Sequence, residues 1–177
     1  MIRDKKIILQ DVDFVNIIED ILANEKVQEM KKYRQHHKIN CLDHCLFVSY
    51  NAYIICKKHD LDYISTARAA MVHDLFLYDW RKRQPDRKGL HAFTHGKTAC
   101  ENASKLFDLN DKEKDIIEKH MWPVTVAFPK SIEGFILTFV DKYCALSESF
   151  EILKSRLFMK KAFRYAYLAF SLVIIKI

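Results

Sequence analysis

Ala69-Ala70-Met71-Val72-His73-Asp74-Leu75 is an apolar run that ends on an imidazole directly followed by a carboxylate. An adjacent His-Asp pair places one nitrogen and one oxygen donor in the same small volume, a donor set that suits divalent iron, manganese, zinc or cobalt. Working outward from it, His44, His95, His120 and Asp141 complete six candidate ligands, separated by helix-like sequence between residues 44 and 141. Such a set suffices for two metal ions. Ligands dispersed over separate helices make a rigid cage with coordination positions open to a pocket, whereas a contiguous cluster more often forms a closed structural site.

The sequence around these residues reads as helices joined by short connections. Asp11 to Ala23 places Val12, Val15, Ile18 and Leu22 close to a helical stripe. From Leu42 to Cys56, the residues Leu42, Cys45, Leu46, Ser49, Ala52, Tyr53 and Cys56 form one continuous face, with His44 near its start. Asp60 to Asp62 reads as the cap of a helix from Tyr63 to about Leu77 that carries the doublet near its C-terminal end. Asp79 to Ala92, with Pro85, Gly89 and the cluster Arg81, Lys82, Arg83, Arg87 and Lys88, is the one long polar loop. Thr94 then reads as the N-cap of a helix to Phe107, and Asn110-Asp111-Lys112-Glu113 as the start of a helix ending near Met121. Trp122-Pro123 closes that helix, since proline disfavours helical geometry in its predecessor. A helix from Ser131 to about Phe150 would return Asp141 to the doublet, and a last one would fill the chain from Glu151.

Composition agrees with a single compact all-α domain over residues 1–177. The 177 residues can bury a core, the apolar fraction of 50% and charged fraction of 29% are ordinary for a globular protein, and three Gly and three Pro argue against a turn-rich β fold. A net charge of +6 describes a surface friendly to small anions more than a dedicated nucleic-acid groove. Five cysteines with no apolar leader behind Met1-Ile2-Arg3-Asp4-Lys5-Lys6 predict reduced thiols in the cytoplasm. Tyr165 to Ile175 is almost wholly apolar, but its eleven residues fall short of the roughly 20 that a spanning helix needs. The segment reads as a buried terminal helix, docked on the domain or on a second copy, with attachment to a membrane surface or an incidental tail as the alternatives, and no transmembrane segment is expected.

Over residues 36–148 the chain resembles the HD superfamily of metal-dependent phosphohydrolases, whose signature is a His, a His-Asp doublet and a distant Asp. Those positions are His44 in Asp43-His44-Cys45-Leu46-Phe47-Val48, His73-Asp74, and Asp141. His95 in Thr94-His95-Gly96 and His120 in Ile116-Ile117-Glu118-Lys119-His120-Met121 fall where the superfamily's two-metal branches carry extra histidines. The resemblance implies a helical bundle of the HD type in which His44, His73, Asp74 and Asp141 hold one ion, Asp74 bridges to a second, and His95 and His120 complete that one. Iron or manganese is the expected metal, with zinc, cobalt or nickel left open. A hydroxide shared between the ions would attack a small phosphate ester, most naturally a nucleotide, and Asp74 is the residue on which that chemistry turns. The same ligands also serve mixed-valent di-iron oxygenases of the superfamily, and a non-catalytic nucleotide-binding regulatory domain is the remaining alternative. Leu77 stands three positions after Asp74, where some single-metal nucleotidases have an acid and the cyclic-di-GMP branch a Lys, and the latter's Gly-Tyr-Pro motif is missing. Asp79 is left as a substitute acid.

Other residues have plainer readings. His36, His37, His59 and His91 read as ordinary imidazoles, since a lone His needs partners before it is a ligand, with His91 the main competitor of His95. Cys41, Asp43, His44 and Cys45 have a knuckle-like arrangement, but no second Cys pair lies at zinc-ribbon spacing, so the cysteines read as small residues on an apolar face, as does Cys144. Substrate phosphate is expected to meet some of Arg81, Arg83, Lys88, Lys97 and Lys142. A homo-oligomer is left open.

Overall fold

The computed structural model describes residues 1–36, 39–82, 89–147 and 150. The fold is an all-α bundle with one small hairpin. Its elements are α1 (Lys5–Ile8), α2 (Val12–Ala23), α3 (Glu25–Gln28), a 3-10 turn (Glu29–Lys32), β1 (Arg34–His36), β2 (Ile39–Asn40), α4 (Cys41–Lys58), α5 (Tyr63–Val72), α6 (His91–Leu106) and α7 (Asp111–Lys119). A final helix, α8, covers 132–147. No helix among the described residues is long and apolar enough to cross a membrane.

The bundle is built around α4. Its expected face is buried, but so are His44, Phe47, Val48, Tyr50 and Asn51, so the helix is enclosed on most sides instead of along one stripe. Its N-terminus is closed by the Asn40 side chain, which accepts from Asp43 N at 2.9 Å, and Lys57 and Lys58 complement the dipole at the other end. The main partner of α4 is α5. Ser65, Thr66, Ala67, Ala69 and Ala70 are all buried there, and such short side chains set a small separation between helix axes. Ser49 Oγ uses that closeness to donate to Ala67 O at 2.7 Å.

The far side of α5 packs on α7 and α2. Arg68 ties the three together, pairing with Asp20 of α2 at 2.7 Å and with Glu113 of α7 at 3.4 Å. The hydrogen bond from Arg68 holds the Asp20 carboxyl below its usual range. α7 starts with the expected cap: Asn110 Oδ1 accepts from Glu113 N at 2.9 Å, and the Glu113 carboxylate accepts from Asn110 N at 2.8 Å.

Several boundaries differ from those expected. α5 ends at Val72 and not near Leu77: His73 is its C-cap, and the chain reverses through Leu77 at a left-handed φ of 54°. α6 begins three residues before Thr94, because the Thr94 hydroxyl donates back to Leu90 O at 3.2 Å instead of capping. The hairpin β1–β2 was not foreseen; it is antiparallel, with Arg34 opposite Asn40, and Trp80 Nε1 donates to Arg34 O at 3.2 Å. Residues 83–88 of the basic loop and the terminal helix expected from Glu151 lie outside the described residues.

α6 lies against α7 at Gly96, where an added Cβ would stand 2.7 Å from the backbone oxygen of Glu118. Gly96→Ala should therefore destabilise the fold by about 1–3 kcal/mol through overpacking. Helix propensity alone would give the opposite sign, about 1 kcal/mol in favour of Ala. Urea denaturation decides between them, and a raised midpoint would show that the contact yields.

Candidate metal centre

Five helices or helix ends bring the six candidate ligands together. α4 supplies His44 from its first turn, the end of α5 supplies His73 and Asp74, α6 supplies His95, the C-cap of α7 supplies His120, and α8 supplies Asp141. All six are buried, from 0% exposure at His44 and His73 to 9% at Asp141.

Asp74 sits between two groups of imidazoles. Its Oδ2 lies 3.5 Å from His73 Nε2 and 3.9 Å from His44 Nε2, and its Oδ1 lies 3.3 Å from His95 Nε2 and 3.6 Å from His120 Nε2. Asp141 Oδ1 closes the first group, 3.0 Å from His44 Nε2 and 3.7 Å from His73 Nε2. Ligand atoms of His44, His73 and Asp141 all lie within 4.8 Å of one another, as do those of His73, Asp74 and His120.

Three of the rings are aimed by their own helices. Nδ1 of His73 faces Ala70 O at 2.7 Å, Nδ1 of His95 faces His91 O at 2.8 Å, and Nδ1 of His120 faces Ile117 O at 2.7 Å. A carbonyl only accepts, so each Nδ1 carries a proton and each Nε2 is left facing the centre, the nitrogen that a metal ion would take. His95 Nε2 and His120 Nε2 face each other at 2.9 Å, close enough to share a proton or to ligate one ion lying beside them. His73 Nε2 and Asp74 Oδ1 are likewise buried with no hydrogen-bond partner among the described residues. Convergent ring nitrogens, orphaned polar atoms and an N/O donor set all fit metal binding.

Burial alone would lower the His73 and His95 imidazoles, but Cys45 and Asp74 at His73, and Asp74 at His95, outweigh it and raise both. Burial alone would raise the Asp74 carboxyl, but His73, His95 and His120 outweigh it and hold the group well below the usual carboxylate range. Burial is similarly overcome at Asp141, by His44 and His73. His120 is pushed down to about 3 by burial and by the neighbouring His95 and His73, which leaves it a neutral donor.

A cavity of about 270 Å³ opens onto this cluster, reaching Asp74, His95, His120 and Asp141. Its outer wall includes Trp80, Ala92, Met121, Val124 and Ala145. Of the expected phosphate ligands, Lys142 lines the cavity and donates to His120 O at 2.9 Å, and burial lowers its ammonium pKa against the pull of Asp141. Arg81 is engaged by Asp79 at 3.0 Å, and neither residue is among those lining the cavity; Lys97 is exposed on α6. Arg83, Lys88 and His37 fall outside the described residues.

Two cavity residues were not expected from the sequence. Gln35 of β1 donates from Nε2 to Asp74 Oδ2, and a short strand in an aperiodic stretch carries no signal for this. His91, in its plainer reading an ordinary imidazole, lines the cavity: it stacks on Trp80 at 5.5 Å and on His95 at 4.4 Å, with Tyr78 Oη 3.0 Å from its Nδ1. Spacing could have suggested it, since His91 and His95 lie one helical turn apart on one face. Cys41 and Cys45 pack behind the doublet, with Cys41 Sγ donating to Asp74 O at 3.3 Å, while Cys144 is buried 3.8 Å from Met1 Sδ.

No protein-family model, curated protein or solved structure matches the chain.

Metal should stabilise the native state by mass action, by about 2.7 kcal/mol at a free concentration one hundred times the dissociation constant. Manganese added to metal-stripped protein is expected to raise the melting temperature accordingly. In Asp74→Ala that rise should vanish together with metal retention, because the carboxylate set between the two imidazole groups is gone. An undiminished thermal shift in the variant would remove Asp74 from the ligand set.

Proposed function

We propose that this chain is an HD-type metal-dependent phosphohydrolase acting on a small phosphate ester, most naturally a nucleotide, in the cytoplasm. One observation carries the reading: a single buried carboxylate has its two oxygens facing two groups of imidazole nitrogens, beside a cavity that also holds a lysine. His44, His73, Asp74 and Asp141 would hold one ion and Asp74, His95 and His120 a second. Iron or manganese suits these nitrogen and oxygen donors. When bound, such cations supply Lewis acidity toward phosphoryl oxygens and acidify water.

The chain's own residues account for the rest. The Lys142 ammonium, anchored on His120 O, offers the remaining donors to a phosphate oxygen. Gln35 holds one oxygen of Asp74, so the carboxylate keeps its rotation as a ligand enters. Trp80, Met121 and Val124 form an apolar wall that keeps bulk water from the reacting phosphate. A cytoplasmic setting is supported by five cysteines that are all free.

Manganese- or iron-loaded protein, screened against phosphomonoesters, nucleotides and cyclic dinucleotides, should release phosphate or a nucleotide monophosphate. Asp74→Ala should abolish this. Lys142→Met should raise KM about tenfold with metal content unchanged, for a charge-assisted contact worth about 1.5 kcal/mol. Oxygen uptake by the iron-loaded form without hydrolysis would instead select the di-iron oxygenase, and tight nucleotide binding without turnover the regulatory domain.

A further inference from the structure

Cys41 and Cys45 lie four residues apart in the first turns of α4, so both thiols leave the helix on the same side. That side faces the His-Asp doublet. The two Sγ atoms and a carboxylate oxygen of Asp74 lie within 4.8 Å of one another, and all three residues are buried. His73 Nε2 lies 3.5 Å from Asp74 Oδ2 and has no hydrogen-bond partner among the described residues, and Cys45 interacts electrostatically with its imidazole. Apolar packing accounts for burying two sulfurs, but not for their convergence on a carboxylate and an imidazole.

Two sulfurs, one oxygen and one nitrogen form a soft donor set, the kind that selects zinc or cadmium over manganese. Tetrahedral bonds of about 2.3 Å to sulfur and about 2.1 Å to oxygen or nitrogen set the donors roughly 3.5–3.8 Å apart. Cys41, Cys45 and Asp74, within 4.8 Å of one another, reach that spacing by drawing closer by at most about 1 Å, and His73 supplies the fourth donor from beside Asp74. We infer that Cys41, Cys45, Asp74 and His73 form a second, thiophilic metal site that competes with the histidine-carboxylate cage for Asp74 and His73. Its ligand class is a soft or borderline divalent cation, zinc in particular. Binding there releases the two thiol protons and withdraws Asp74 from its place between the imidazole groups. A hard ion gains little from sulfur and remains in the cage.

The test uses reduced, metal-stripped full-length protein and cadmium as the probe. A single equivalent should produce sulfur-to-cadmium charge-transfer absorbance, and X-ray absorption should find two sulfurs in the cadmium shell. Cadmium should also release manganese from manganese-loaded protein, and Cys45→Ser should require about tenfold more cadmium for the same release. A cadmium shell of nitrogen and oxygen alone at one equivalent would overturn the inference. Equal absorbance in Cys41→Ser and Cys45→Ser would do the same, because it would assign the band to Cys56, Cys100 or Cys144. Should the serine variants fail to fold, X-ray absorption on the unaltered chain still decides. None of these readouts depends on hydrolysis, so failure of the phosphohydrolase reading leaves them untouched.

Discussion

Four imidazoles and two carboxylates are buried in one small volume, and the balance of charge among them constrains everything around it. A lone buried carboxylate is costly, and so is a buried imidazolium with no partner. Asp74 reconciles the two by facing His44 and His73 with one oxygen and His95 and His120 with the other. The polypeptide leaves this arrangement partly unresolved, with His73 Nε2 and Asp74 Oδ1 lacking hydrogen-bond partners among the described residues. Native interiors rarely keep such atoms unless a ligand completes them.

Helix approach is what makes so dense a cluster attainable. The short side chains of α5 let it lie close to α4, which sets the doublet beside His44. Gly96 does the same between α6 and α7, one residue from His95 and beside the turn that leads into His120. The core and the site are therefore one construction: a side chain too large at either crossing would move ligands as well as helices.

That these six residues converge was legible in the sequence: His44 and His95 lie about one turn inside a helix start, His73, Asp74 and His120 at helix ends, and Asp141 mid-way along α8. Capping chemistry was legible at Asp62 and Asn110, where a short polar side chain precedes a helical pattern and accepts from the backbone. Thr94 misled for the same reason, since a hydroxyl bonds backward along a helix as readily as it caps one. Gln35 could not be found, because its role depends on a hairpin of a few residues whose pairing is held by Trp80, distant in sequence. His91 and the two cysteines look ordinary in isolation and gain meaning only from what the fold places against them.

The tether of each ring to a carbonyl three or four residues earlier has a consequence for how such a chain can change. His73 leans on Ala70, His95 on His91 and His120 on Ile117, so the direction of each donor is encoded within a single helical turn. Connections between the helices carry none of that information. Loops around the cavity can lengthen, shorten or change composition, and with them the choice of molecule admitted, while the imidazoles go on pointing at the same place. Aim and selectivity thus reside in separate stretches of the polypeptide, free to diverge at different rates.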